Sequence, residues 1–455
     1  MSEKAQAIEL VQIPKDIAYE DYASSVLNAG GYYLERGIHK REESEILELD
    51  IVTNKFSLNG VEKTILEIKS GGWGFPDIFK VRGWMDYLGF EKASFIVQKK
   101  DSNQDLYNDV AFQLGMSLIV TEENNGRLSY NKIQKAYTIT SSRNEEAFID
   151  NLRFSYALER KLINDIGSTA RADKNREGFQ ILKRYLFELC DNTFFEASPS
   201  KRILKTFRLF AEHKHITARL DNESDNSPYS KISDDVSISE SSFKSLFYEH
   251  DKKNKLYGAL YVEVLNRLYV LKHCVEDILH PIEQDGIAKF LANLDHAVLP
   301  SSITSAMETL KCHRYFYLYP YFWQIFIFLF GGFILEDQKE KEYELLSEIT
   351  GVPQDEIDKA LSAFDLLFPL DDNWILPPKN NSMRILRFMP APFCGIGVNL
   401  RRVIYCANKK LDELKGIFTV GYTYDDMIRY NNLAYNYLLK SKEVVVREKD
   451  PKTSK

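Results

Sequence analysis

The stretch Ile46–Gly72, ILELDIVTNKFSLNGVEKTILEIKSGG, constrains the chain more than any other. Two aliphatic segments flank Asn59-Gly60, a strong signal for a tight hairpin turn. Each segment carries charge among its apolar residues. Side chains alternate across a strand, so Leu47, Leu49 and Ile51 share one face and Glu48 and Asp50 the other. In the second segment Leu66 and Ile68 share a face, and Glu67 and Lys69 point the opposite way. The hairpin therefore brings Asp50, Glu67 and Lys69 to one side of one sheet. A buried charge needs a partner or a metal.

The surrounding pattern supplies the fold class. Helical signals run from Asp16 to Leu27 and from Asp77 to Leu88, the second with Ile78, Val81, Met85 and Leu88 at helical spacing. Asp16 is the expected N-cap of the first, and Gly30-Gly31 closes it. Strands are expected over Tyr32–Ile38, Glu45–Ser57, Glu62–Ser70, Ala93–Val97 and Met116–Thr121, with a helix over Gln104–Leu114. This order predicts an α/β N-terminal domain with one mixed sheet flanked by helices, in residues 1–135. A mostly α-helical region follows. Residues 136–336 form its first part, with a polar linker or loop at 220–242. Residues 337–455 form the second, with a winged-helix-like unit over Glu340–Phe388. Its second helix carries Asp355, Glu356 and Asp358 against Lys359, a poor charge for reading a phosphate-lined groove. A protein-contact or structural role is expected for it.

Composition narrows the function classes. Lys and Arg number 14 and Asp and Glu 21 in the first 130 residues, which hold the whole net charge of −7. No basic coat exists, so a polyanion would be met by a local patch. The arginine-dense zone is Arg384, Arg387, Arg401 and Arg402. The five cysteines, Cys190, Cys274, Cys312, Cys394 and Cys406, show no CxxC spacing, and the eight histidines show no metal-ligand set. The start lacks a signal-peptide layout, so a cytoplasmic chain is expected. The apolar run Tyr317–Leu335 contains Pro320, Gln324 and Gly331-Gly332, and reads as a buried core helix rather than a membrane contact. No phosphate-cradling GxxxxGK[ST] loop and no GxSxG elbow is present.

Clustered carboxylates beside a lysine suit an oxygen-liganded divalent cation. Glu20, on a partly apolar face of the first helix, is a candidate third carboxylate. These residues resemble the PD-(D/E)xK nuclease superfamily, the restriction-endonuclease-like fold, nearest its Mrr-like branch. The resemblance rests on Glu20, on Asp50 in ELD, on Glu67-Ile68-Lys69 in LEIK, and on the following helix and ASFIV strand, over about residues 15–121. Leu49 stands where the family motif has proline. The resemblance implies a Mg²⁺- or Mn²⁺-dependent nuclease. Asp50, Glu67 and the Ile68 carbonyl would hold the metal, Lys69 would activate water, and Glu20 would be the helix-borne acid. It implies nucleic acid, DNA first, as substrate, and by analogy a prokaryotic defence or restriction role. The helical region would sense, dimerise or dock a partner, with a homo-oligomer expected.

Plainer readings stand beside these. Asp50, Glu67 and Lys69 would equally pair on the wet face of an open sheet. Glu20 would be an exposed helix carboxylate, and Glu48 a solvated charge. Lys80 and Arg82 would sit on a solvated helix face or touch a phosphate backbone, and Trp73 and Trp84 would pack in the core. The Gly71–Gly74 loop would approach a phosphate or merely connect strand to helix. The alternative function is a catalytically silent nuclease-like scaffold or binding module.

Overall fold

A computed structural model of the chain describes residues 10–139, 146–172, 177–196, 198–218, 252–279, 299, 301–330, 333–334, 339–367 and 384–385. The N-terminal domain contains α1 (Ile17–Ala29), β1 (Tyr33–Arg41), β2 (Glu45–Ser57), β3 (Gly60–Lys69), α2 (Phe75–Leu88), β4 (Lys92–Val97), α3 (Gln104–Gln113) and β5 (Met116–Val120). The five strands lie in the order β1-β2-β3-β4-β5. β1 is antiparallel to β2, whereas β3, β4 and β5 run parallel. The turn between Ser57 and Gly60 is only two residues long, which forces β2 and β3 into a hairpin. The sheet is thus mixed.

The core is built as the alternation dictates, with one addition. Leu47, Leu49 and Ile51 are buried, as are Phe95, Ile96 and Val97 of β4. β3 is buried on both faces from Ile65 to Ile68, because a central strand between parallel crossovers is covered on each side. Helix α1 is buried along nearly all its length. Its Tyr19 hydroxyl meets Thr121 Oγ1 at 2.8 Å, and its Tyr22 hydroxyl donates to the Ser129 carbonyl at 2.6 Å. Helix α2 starts at Gly74, whose N–H donates to Asp77 Oδ2, and stops at Gly89 in the left-handed region.

Two features lie outside the expected list. A second hairpin, β6 (Glu122–Asn124) and β7 (Arg127–Ser129), turns at Asn125-Gly126, both at positive φ. A short helix α4 (Asn131–Ala136) follows. Helix α5 (Glu146–Ala172) then begins within the same compact unit, which runs to Leu158. Arg127 reaches Asp150 at 2.9 Å and Glu146 at 3.0 Å, and Tyr130 donates to Asp150 at 2.5 Å.

From Glu159 a second compact unit follows, largely helical among the described residues. Helices span Glu177–Phe187, continuing as a π-turn over Glu188–Asn192, then Pro199–Ala218, Lys252–Leu279 and Ser301–Lys311. Ile166, Leu182, Tyr185, Leu189, Val262 and Tyr269 form part of one apolar core. The aromatic run forms a 12-residue helix, Tyr319–Phe330, with Phe322, Trp323, Ile325 and Phe326 fully buried. Trp323 Nε1 donates to the Ala360 carbonyl at 2.9 Å. No described helix is long and apolar enough to cross a membrane. Helices Lys339–Thr350 and Ile357–Leu367 are separated by a 3-10 turn, and Phe333–Ile334 pairs antiparallel with Arg384–Ile385. The remainder of the expected wing, the polar stretch 220–242, Arg387, Arg401, Arg402, Cys394 and Cys406 lie outside the described residues. Cys190, Cys274 and Cys312 are free thiols.

Candidate active site

The first turn of α1 is fastened to the end of β3. Asp16 does not cap the helix with its side chain, contrary to expectation. Its φ of 51° turns it away. Its N–H donates instead to Ser70 Oγ at 2.8 Å, and that hydroxyl donates to Asp16 Oδ1 at 3.2 Å. Ser70 directly follows Lys69. The clasp therefore brings Glu20, one turn along α1, toward the charged strands.

Across β2 and β3, the Ile68 N–H donates to Asp50 Oδ2 at 2.8 Å. N–H and C=O of one strand residue point to the same side, so the Ile68 carbonyl also faces the β2 edge. Neighbouring pairs Arg36↔Ile51 and Ile38↔Leu49 set Gly37 opposite Asp50. Gly37 lies at φ +57°, and a Cβ built there meets nothing within 4 Å.

Glu67 is the most deeply placed charge of the strand group, 1% exposed. Lys69 Nζ and Lys80 Nζ each lie 2.7 Å from its Oε1. Its Oε2 is buried and has no hydrogen-bond partner among the described residues. The wet-face reading does not hold at this residue. Asp50 is pushed up to about 8 by burial and then by the charges of Glu67 and Glu20, against the Ile68 N–H and Lys69. Burial raises the Glu20 carboxyl too, with Asp21, Glu48 and Glu67 adding to it and Arg36 opposing. For Lys69 burial works against the charge, but the hydrogen bond and charge of Glu67, with Asp50 and Asp77, outweigh it and raise its pKa. In this state Lys69 is an ammonium, a donor and not a base.

Glu48, Asp50, Glu67, Lys69, Lys80 and Trp84 line a cleft of about 240 Å³. The sequence offers Lys80 a solvated helix face or a phosphate-backbone contact, and Trp84 the core. The structure leaves Lys80 exposed and puts both in the cleft lining, with Lys80 Nζ 4.4 Å from the centre of the Trp84 ring. Their i, i+4 spacing was the available signal. The Trp73 ring packs with its centre 4.7 Å from that of Tyr107 and 5.5 Å from that of Phe95, and it is not among the cleft-lining residues. Arg82 is held by Asp86 and the Leu114 carbonyl.

The histidine reading needs correction. The β1–β2 register pairs His39 with Glu48. His39 Nδ1 lies 3.3 Å from Glu45 Oε2 and Nε2 lies 3.7 Å from Glu48 Oε1. One ligand atom from each of these three residues lies within 4.8 Å of the others, enough to hold a cation, although both glutamates are exposed. The Glu20, Asp50 and Glu67 carboxylates do not form such a triplet. Glu20 sits half-buried outside the cleft lining and acts on the site through its charge.

Asp50 and Glu67 fit a divalent ion on two observations. A buried carboxylate oxygen of Glu67 is without a hydrogen-bond partner among the described residues, and the Asp50 carboxyl is pushed up by burial first and then by the charges of Glu67 and Glu20, a shift that a cation would oppose. Compared with protein-family models, with curated proteins and with solved structures, the chain matches none.

Proposed function

We propose that the N-terminal domain is a metal-dependent phosphodiesterase of restriction-endonuclease-like architecture, acting on nucleic acid, DNA first. The observation that carries this is Glu67: a carboxylate buried to 1%, one oxygen gripped by two lysines and the other free, one strand from Asp50, whose Oδ2 accepts from the Ile68 N–H. Asp50, Glu67 and the Ile68 carbonyl would hold Mg²⁺ or Mn²⁺. A bound ion there supplies neutralisation of the acids, acidification of water and polarisation of a phosphoryl group. Lys69, charged and anchored on Glu67, donates hydrogen bonds that orient the attacking water and stabilise developing negative charge. Glu20 keeps the local potential negative and favours a cation. The helical unit serves as a sensing, dimerising or docking region, and a defence or restriction role follows only by analogy with the superfamily.

The test is cleavage of supercoiled plasmid and of single-stranded DNA and RNA by full-length protein with Mg²⁺ or Mn²⁺. Nicking or degradation is expected, abolished by EDTA. Asp50→Ala and Lys69→Ala should each lower the rate by about 10² or more while the protein stays folded. Variants that cut as fast as wild type would overturn the assignment. Failure of the wild type on every substrate and ion would favour the silent scaffold, in which the two lysines satisfy Glu67 for stability alone.

A further inference from the structure

Two ammonium groups on one carboxylate oxygen is more positive charge than that oxygen requires. Lys69 and Lys80 each approach Glu67 Oε1 at 2.7 Å, so the two nitrogens are at most twice that distance apart and repel. Their positions differ. Lys69 sits two residues from Glu67 on the same strand and is fixed by it. Lys80 arrives from α2 on a flexible stem, is 39% exposed against 31% for Lys69, and its Nζ also lies 4.4 Å from the centre of the Trp84 ring. Both Lys80 and Trp84 face the cleft.

We infer that Lys80 is a phosphate-holding cation of this site: supported by Trp84, it leaves Glu67 to bind a non-bridging oxygen of the substrate phosphodiester, while Lys69 stays with the water. The inference rests on the phosphodiesterase reading. It follows from charge and reach. A polyanionic substrate entering this cleft meets Glu48, Asp50 and Glu67, all acidic, and needs a cation that can turn toward it. Lys80 is the exposed, adaptable one of the pair. An ammonium is a point charge that suits phosphate without a fixed fork. Trp84 limits where that charge travels, which reduces the order lost on binding.

Steady-state cleavage and direct binding of a fluorescein-labelled mixed-sequence duplex, across a potassium chloride series, separate this role from a structural one. Full-length wild type, Lys80→Gln, Lys80→Arg, Trp84→Ala and Lys69→Gln are compared, with thermal melts verifying the fold. Lys80→Gln should raise KM about tenfold with kcat changed less than about threefold, since a charged hydrogen bond to substrate is lost. The slope of log K against log salt should become shallower by about one, the signature of one missing phosphate contact. Lys80→Arg should restore most of the affinity and the slope. Trp84→Ala should raise KM without altering the slope by a full unit. Lys69→Gln should lower kcat and leave the slope unchanged. If Lys80→Gln cuts with wild-type KM and salt slope, or loses kcat alone, the assignment is wrong while the phosphodiesterase reading stands. If wild type neither binds nor cuts nucleic acid under any divalent ion, the reading itself falls and the Lys80 role falls with it.

Discussion

A carboxyl raised to about 8 holds a proton through the neutral range, and at Asp50 burial is the main cause, followed by the charges of Glu67 and Glu20. The sign of the effect on stability is fixed by linkage. The folded state binds this proton more tightly than an unfolded Asp, whose pKa is near 3.8. Asp50 therefore stabilises the metal-free fold fully below about pH 4, and that contribution is lost as pH rises through about 8. Metal-free protein should melt lower at pH 9 than at pH 6, and Asp50→Asn should flatten the trend. On the proposed metal site, Mn²⁺ would displace this proton on binding. Calorimetric titrations at pH 6.5 in buffers of different ionisation enthalpy should thus report proton release, and a heat independent of buffer would remove Asp50 from the ligand set. Glu67 should behave oppositely to Asp50. Glu67→Gln strips the partner from two lysines that are 31% and 39% exposed and costs about 2 kcal/mol in urea unfolding, whereas Asp50→Asn is neutral or stabilising without metal. At this scale the sequence made the strand-borne group legible, because Asp50, Glu67 and Lys69 need only period two and a turn. Lys80 needed the path of α2 across the sheet, and His39 needed the β1–β2 register, neither of which local pattern encodes.

Elements were easier to read than their junctions. The alternation of aliphatic strands and amphipathic helices predicts the order from α1 to β5, and the observed elements follow it. The ends moved where backbone satisfaction decides. Asp16 turns to Ser70 because a clasp across to β3 was available to its N–H and its carboxylate together. The β6–β7 hairpin was signalled by Asn125-Gly126 but is only three residues a side, too short for a periodic pattern. The helix Glu177–Phe187 runs on into the π-turn Glu188–Asn192, where Thr193 N–H reaches back to the Glu188 carbonyl. Gly37, opposite Asp50 in the β1–β2 register, carries a constraint of the element scale. A left-handed φ of +57° in the middle of β1 admits glycine readily and other residues at a cost. Gly37→Ala should destabilise the protein by about 1 kcal/mol in urea unfolding although the space is open. A stability unchanged within error would show that β1 relaxes its backbone there.

At the scale of the whole molecule, α5 matters to the sheet domain. Asp150 of that helix receives Arg127 and Tyr130, Arg153 reaches the Val11 carbonyl, and Arg36 lies 4.6 Å from the Tyr156 ring centre. Ile149, Leu152 and Tyr156 are buried. A fragment ending near residue 160 should therefore melt cooperatively, while one ending at 135 should lose several degrees or fail to fold, because it abandons the partners of Arg127 and Tyr130. Equal melting of the two would show α5 to be an ornament of this domain. The mixed sheet and the helical second unit were legible from the change of hydrophobic period, whereas the attachment of α5 was not, since it depends on single polar contacts between distant residues. The ordering of the charged groups has a further consequence. Glu20, Asp50, Glu67, Lys69 and Lys80 all precede the helical unit in the chain. Synthesis runs from the N-terminus and domains fold as they emerge. A nascent polypeptide thus presents its cleft to the cell's ions before the second unit has left the ribosome, so any restraint that unit exerts begins only with the finished molecule.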